Sequence, residues 1–167
     1  MIHTAKALQA SLHTRVLMRD QPNGLHLGLL RLCSRAVRLG VCDTARRGVA
    51  EVFGRAAHTY GRVGPDFFDF FGHRVVGMIG ETLGGSVLDV GCGAGATLVA
   101  ASAAVDEDAL VIGVDLSREM LLRAGGAVAE TDVPVFVALA DAQRLPFPDG
   151  IFDTVVSSFA LGYFRVL

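Results

Sequence analysis

A glycine-rich stretch in the second half of the chain decides the fold: Val87-Leu88-Asp89-Val90-Gly91-Cys92-Gly93-Ala94-Gly95. Its first residues are apolar and predict a short strand, and an alanine-rich segment that predicts a helix follows the glycines. Glycine is needed in such a loop because a ligand approaches the backbone more closely than any Cβ atom would permit. The stretch therefore predicts a ligand-binding loop between a strand and a helix.

The residues after this loop continue the alternation of strand and helix. The expected strands are Ser86–Val90, Leu110–Val114, Pro134–Leu139 and Phe152–Ser157, and the expected helices cover Ala94–Val105 and Ser117 to about Glu130. The hydroxyl of Ser117 is suited to cap the second of these helices. Strands this apolar are buried on both faces, as in a parallel sheet covered by helices. Right-handed crossovers then give an α/β fold with a Rossmann-like, doubly wound parallel sheet.

The sequence ends at Leu167, soon after the fourth predicted strand. We therefore expect a sheet that is truncated after this strand and preceded by N-terminal helices. The fourth strand is then an apolar edge, and such edges pair readily with other chains. Three explanations of the truncated sheet stay open: a fragment of a longer protein, a natural truncated product, or a chain that a homodimer or a partner chain completes at this edge.

Three regions follow from the composition: a basic helical extension over 1–48, helices that cover the cofactor site over 49–82, and the N-terminal half of a Rossmann domain over 83–167. The first region holds eight Lys or Arg residues and two Asp residues. It suits a transit peptide or, over 25–39, an amphipathic helix that binds a membrane or a partner. We favour a surface helix packed on its own domain.

The second region predicts two short helices around a break at Gly64-Pro65. Four phenylalanines lie within 66–71, and we interpret them as core.

Composition excludes several classes of function. The net charge of −2 gives no basic field for nucleic acid. No apolar run reaches the roughly 20 residues of a membrane span. The three cysteines lack the spacing of a metal site, and an odd number of cysteines favours reduced thiols in the cytoplasm.

Three aspartates at successive strand ends favour one of two cofactors. The glycine spacing alone also fits a dinucleotide-binding loop, and with it a nicotinamide-dependent oxidoreductase. Asp89 opposes that alternative, because an unpaired carboxylate repels a pyrophosphate but suits the ammonium and sulfonium of S-adenosylmethionine. Asp115 ends the second strand, where an acidic side chain can accept from ribose hydroxyls. Asp141 ends the third, beside Ala142, and can accept from the adenine amino group.

The sequence resembles the class I S-adenosylmethionine-dependent methyltransferases, in particular the ubiquinone and menaquinone biosynthesis C-methyltransferases. The matching segments are 87–95, 111–120 and 141–153, of which the last is the most specific, and the resemblance covers roughly 55–164. It implies that Asp89 and the loop hold the methionine end of the cofactor, and that Tyr60 lies over it, although Gly61 replaces the usual acidic residue. The other implied cofactor-binding residues are Gly91, Cys92, Gly93 and Gly95 in the loop, Asp115 at the ribose, Leu116, Met120, Asp141 and Ala142 at the adenine, and Ser157 beside the methyl donor.

The resemblance implies methyl transfer from S-adenosylmethionine to an oxygen or carbon of a small molecule. Enzymes that methylate bases or glutamine usually carry Asn/Asp-Pro-Pro-Tyr/Phe after the fourth strand, whereas this chain has Ser157-Ser158-Phe159-Ala160. The alternative is a non-catalytic binding or assembly subunit that needs a partner chain to complete its sheet. No catalytic residue is assigned, because His58 and His73 are better explained as surface or capping residues.

Overall fold

The computed structural model describes residues 44–61 and 66–164 of the chain. The helices are α1 (Thr44–Ala56), α2 (Phe67–Ile79), α3 (Ala96–Ser102) and α4 (Arg118–Ala127), and short 3₁₀ turns cover Gly80–Leu83, Ala142–Arg144 and Leu161–Tyr163. The strands are β1 (Ser86–Val90), β2 (Leu110–Asp115), β3 (Val135–Leu139) and β4 (Thr154–Val156). The helix predicted over 25–39 and the Gly64-Pro65 break lie outside the described residues. Among the helices described, none is both long and apolar enough to cross a membrane.

The four strands form one parallel sheet in the order β3-β2-β1-β4. This arrangement confirms the predicted Rossmann-like α/β fold. At the centre of the sheet, Asp89 of β1 lies opposite Gly113 of β2 and Val156 of β4. Because all strands run the same way, their carboxyl ends lie along one edge, and the glycine-rich loop follows β1 at that edge.

Both faces of the sheet are buried, as the apolar strands predict. Val87 and Val111 belong to the core on one face, together with residues of α2, α3 and α4. Leu88 and Ile112 belong to the core on the other face, against which Phe147 and other side chains of the segment between β3 and β4 pack. Side chains alternate along a strand, so Asp89 lies on the same face as Val87.

The ends of the helices differ slightly from the prediction for local reasons. Gly95 has a left-handed φ of 97°, so α3 begins at Ala96 rather than at Ala94. The Ser117 side chain accepts from the Met120 amide at 3.2 Å, which confirms the predicted cap of α4. Helix α1 begins at Thr44 and therefore crosses the predicted boundary between residues 48 and 49.

The interpretation of the four phenylalanines as core is wrong. Phe67 and Phe70 are 46% and 60% exposed, and Phe68 and Phe71 are only half-buried. The buried side of α2 is formed instead by Gly72 and Val76. Since α2 packs against α3 through this other side, the aromatic rings are left at the surface and along the cavities described below.

Strand β4 is shorter than predicted and forms an edge of the described sheet. The Asp153 side chain accepts from the amide and the hydroxyl of Ser86, at 2.9 and 2.7 Å. This pair fixes the start of β4 beside the start of β1, and the ladder runs only from Thr154 to Val156. In the described residues β4 pairs with β1 alone, and Val155 is 60% exposed.

Two glycines of α2 make a matched test of this packing. A Cβ atom at Gly72 would lie 3.0 Å from backbone atoms of Ala96, whereas at Gly77 nothing lies within 4 Å. We expect Gly72→Ala to destabilise the fold by about 1–3 kcal/mol through overpacking. Gly77→Ala should stabilise it by up to about 1 kcal/mol through helix propensity. Urea unfolding measures both, and a Gly72→Ala chain as stable as Gly77→Ala would contradict the close packing of α2 on α3.

Candidate functional site

The glycine-rich loop is held by the backbone of β2 and packed against the segment after β4. The amides of Gly91 and Cys92 donate to the Val114 carbonyl at 2.8 and 3.0 Å. Gly91 has a φ of 77°, and a Cβ atom there would lie 2.3 Å from the Cβ of Ala160. No other residue fits at Gly91, since both the backbone conformation and the space exclude a side chain.

Two adjoining cavities lie at the carboxyl ends of the strands, under α1, α2 and the segment after β4. The first has a volume of about 410 Å³ and the second of about 380 Å³, which is the size range of small-molecule sites. Both are lined by Tyr60, Phe68, Gly91, Gly93, Ser158 and Phe159. We call these six residues the shared wall.

The first cavity contains the predicted residues of the second and third strand ends: Asp115, Leu116, Met120, Asp141 and Ala142. The two oxygens of Asp115 accept from the amides of Gly93 and Ser117, at 2.9 and 2.8 Å. These bonds fix the carboxylate, and each oxygen keeps a further lone pair for a hydroxyl group. Burial raises the pKa of Asp115, while the amide bonds lower it. Asp141 accepts from the Gln143 amide at 3.0 Å.

The second cavity contains Asp89 and the loop residues Cys92 and Gly95. Asp89 is only 2% exposed, and the described part of the chain offers neither carboxylate oxygen a hydrogen bond. Burial, and then the nearby charge of Asp115, raise the pKa of Asp89 to about 7. A buried carboxylate without a partner is costly. It is the feature expected where a ligand supplies a cation, and the ammonium of S-adenosylmethionine fits this need whereas a pyrophosphate does not.

Tyr60 lies in the shared wall, where the resemblance places a residue over the ligand. Its ring stacks on Phe68 with the ring centres 4.7 Å apart. Arg123 of α4 fixes the backbone below it by donating to the carbonyls of Ala57 and Tyr60. Burial raises the pKa of the Tyr60 phenol, as do Tyr163 and Asp115, so this side chain remains a neutral hydroxyl.

The side chains of two predicted site residues make contacts within the fold instead. The Ser157 hydroxyl donates to the Val90 carbonyl at 2.8 Å, and Ser157 lines neither cavity. Its neighbour Ser158 lies in the shared wall instead, 3.2 Å from the Thr97 hydroxyl. The Cys92 side chain is buried below Gly113, where a Cβ atom would lie 2.8 Å from its sulfur. Burial raises the pKa of this thiol well above its usual range, so Cys92 is a packing residue of the loop.

The structure adds aromatic residues that the sequence pattern did not identify as part of the site: Phe53, Phe67, Phe68, Phe159, Tyr163 and Phe164. The position of Phe159 directly after β4 could have identified it as a site residue, because ligands bind beyond the carboxyl ends of strands. Of the two histidines considered, His58 lies against the Arg55 carbonyl at 3.1 Å, as a capping residue. His73 is exposed at the margin of the second cavity.

Comparison with known proteins gives consistent matches. Residues 87–166 match the family model of the methyltransferase domain. An aklanonic acid methyltransferase from Streptomyces sp. (strain C5) is 32% identical over 117 residues, which are 70% of this chain and 53% of that protein. A nocamycin O-methyltransferase from Saccharothrix syringae is 34% identical over 68% of this chain and 41% of that protein.

Among solved structures, a methyltransferase from Aquifex aeolicus, described as dependent on S-adenosylmethionine, superposes with a TM-score of 0.53. It is 27% identical over 62% of this chain and 56% of that chain. The chain spans about half the length of the curated relatives it matches. These matches confirm the predicted relationship to methyltransferases and support S-adenosylmethionine as the cofactor.

Asp89 makes the stability of the chain depend on pH. Its pKa of about 7 in the folded chain lies above the value of about 3.9 expected after unfolding. The folded state therefore loses stability as pH rises from about 4 to about 7, when only the unfolded state can ionise this group freely. Asp89→Asn removes the charge, so we expect the ligand-free variant to be more stable than the parent by about 1–4 kcal/mol at pH 8.

Thermal unfolding across the pH range checks this expectation. The difference should shrink toward zero near pH 4, where both chains are neutral at this position. Asp149→Asn, at an exposed position, is the control and should show no such trend. A stability difference for Asp89→Asn that does not change with pH would contradict a buried, unpaired carboxylate.

Proposed function

We propose that this chain, whose residues 87–166 belong to the methyltransferase domain family, binds S-adenosylmethionine and transfers its methyl group to an oxygen or carbon of a small molecule. The buried Asp89 carboxylate, without a hydrogen-bond partner in the described residues, carries the proposal. It gives the second cavity the negative charge that a cationic amino-acid end requires. Asp115, at the end of β2, gives the first cavity a carboxylate that can accept hydrogen bonds from ribose hydroxyls.

Each cavity takes one end of the cofactor in this proposal. Asp115 accepts from the ribose hydroxyls, and Leu116, Met120, Asp141 and Ala142 surround the adenine in the first cavity. Asp89 and the backbone of Gly91, Cys92, Gly93 and Gly95 hold the methionine end in the second. Ser158, rather than Ser157, contributes the side chain after β4.

The shared wall suits the reactive centre between these two ends. Tyr60, Phe68 and Phe159 present aromatic rings there, and ring faces attract cations. When bound, S-adenosylmethionine supplies a methyl group on a positively charged sulfur, which becomes a neutral thioether once the methyl group has left. The rings and Tyr60 exclude water and hold the acceptor in line, and positioning of this kind supplies much of the rate in such transfers.

We also propose that the open side of β4 accepts a further strand, from a second copy, a partner chain or a longer form of the protein. The exposure of Val155 at this edge supports the proposal, because apolar strand edges rarely remain uncovered. A cytoplasmic location is proposed from the odd number of cysteines in the sequence.

Calorimetry with S-adenosylmethionine, S-adenosylhomocysteine and NAD tests the proposed function. We expect both adenosyl ligands to bind and NAD not to bind. Asp115→Asn should weaken the binding of S-adenosylhomocysteine by tenfold or more, since hydrogen bonds to charged groups contribute about 1.5–3 kcal/mol. The matched control is Asp149→Asn, which lies outside both cavities. Binding of NAD in preference to the adenosyl ligands would contradict the proposal.

The hydrogen bonds that Arg123 donates to the carbonyls of Ala57 and Tyr60 give a second test. Arg123→Met frees the carbonyls of Ala57 and Tyr60, so Tyr60 loses its fixed position over the cavities. We expect the affinity for S-adenosylhomocysteine to fall by about three- to tenfold, measured by the same calorimetry, from the loss of about 1 kcal/mol of ordering. Arg118→Met, at an exposed position of the same helix, should leave the affinity unchanged. Equal affinities for the two variants would show that Tyr60 does not depend on Arg123.

A further inference from the structure

Helix α2 carries an exposed row made of an acid, an aromatic ring and a base. Asp66, Phe70 and Arg74 follow one another at intervals of four residues, so they lie along one side of the helix. The Phe70 amide donates to the Asp66 carbonyl at 2.9 Å, which places Asp66 at the start of the row. The helix buries a different side, formed by Gly72 and Val76. We call the three exposed residues, Asp66, Phe70 and Arg74, the outer row.

The ring at the centre of the outer row is part of a larger apolar surface. Phe70 is 60% exposed and lines neither cavity. Its ring meets that of Phe71 edge to face at 5.2 Å, and Phe71 in turn contacts Phe67 at 4.7 Å. Met78, one turn beyond the outer row, is 80% exposed. A continuous apolar surface of this kind marks an interaction site, whereas single exposed apolar side chains do not. The proposed function uses the two cavities and does not account for Phe70.

The charges at the two ends of the outer row have opposite signs and are evenly spaced about the ring. A rise of about 1.5 Å per residue places Asp66 and Arg74 about 12 Å apart along the helix, with Phe70 midway. Asp66 is the N-cap residue of α2, yet its side chain forms no capping hydrogen bond. When the order of acid, ring and base is reversed, each charge lies opposite a charge of the other sign. The outer row is therefore complementary to an antiparallel copy of itself.

We propose that the outer row binds a second copy of this chain, with the two α2 helices antiparallel and the two-fold axis passing through Phe70. In this dimer the two Phe70 rings pack against each other, and Asp66 of each copy faces Arg74 of the other. A two-fold interface requires a surface patch that is complementary to itself, and the outer row meets this condition. An anionic surface such as a lipid bilayer would be repelled by Asp66, and a cationic partner would be repelled by Arg74.

The proposed dimer is weak and reversible, because each copy contributes one side of a single helix. Such a contact is smaller than the roughly 1,600 Å² of a standard protein interface, so we expect a dissociation constant between about 1 µM and 1 mM. Both ion pairs lie at the surface, where salt screens them. Added salt should therefore weaken the dimer. The interface is separate from the open edge of β4, and the variants described below distinguish the two surfaces.

Sedimentation equilibrium of the full chain at low salt tests the proposed dimer through a pair of charge reversals. Asp66→Arg makes both ends of the outer row positive, and Arg74→Asp makes both ends negative. Each variant alone then repels its own copy, so we expect its dimer to be weaker by about tenfold or more. An equal mixture of the two variants should dimerise again, because every charge in the mixed pair faces its opposite. The matched controls are Asp149→Arg and Arg118→Asp, at exposed positions elsewhere, and each alone should dimerise like the parent.

Phe70→Ser removes the ring on the axis and should also weaken the dimer, whereas Val52→Ser, on an exposed apolar residue of α1, should not. If thermal unfolding shows that either charge variant is not folded, this second pair decides the question. A parent chain that stays monomeric up to about 1 mM would overturn the inference. So would single charge variants that dimerise like the parent, which would place the contact on another surface such as the β4 edge. A mixture of the two charge variants that stays monomeric would overturn it as well.

Discussion

The buried carboxylate of Asp89 is the constraint on which the rest of the site depends. It lies at the centre of the sheet, 2% exposed, and neither oxygen has a hydrogen-bond partner in the described residues. A charge in that position opposes folding until a cation arrives. Burial disfavours the charged form of this carboxyl and raises its pKa to about 7 in the ligand-free chain. A ligand that carries an ammonium therefore reduces the free-energy penalty of burying the Asp89 carboxylate without a partner.

The glycine-rich loop, Asp115 and the first two helices complete the site around Asp89. Glycine at position 91 allows the loop to lie against Ala160, and the Val114 carbonyl holds its amides. Asp115 is fixed by two amides beside the first cavity. Residues of helices α1 and α2 line the first cavity. Together these contacts place acidic groups at two strand ends and aromatic rings between them, which is a suitable environment for a cationic methyl donor.

The sequence predicted the parts that local chemistry determines. Apolar runs defined the strands within one or two residues, and Ser117 was recognisable as a helix cap. The aromatic residues of α2 were misinterpreted because hydrophobicity alone does not tell a core ring from a ring that lines a cavity. That distinction depends on Gly72, whose lack of a side chain turns the other face of α2 toward α3. Likewise, which of Ser157 and Ser158 faces the site depends on the register of β4 with β1, a non-local pairing.

The most direct measurement is the titration of the Asp89 carboxyl carbon by ¹³C NMR, in the free chain and with saturating S-adenosylhomocysteine. The account predicts a pKa of about 7 in the free chain. It predicts a marked fall when the ligand binds, because a neighbouring ammonium favours the charged carboxylate. Asp89→Asn identifies the resonance. A pKa that is ordinary in the free chain, or that does not change on binding, would contradict the central claim that Asp89 is held unpaired for the cation of the ligand.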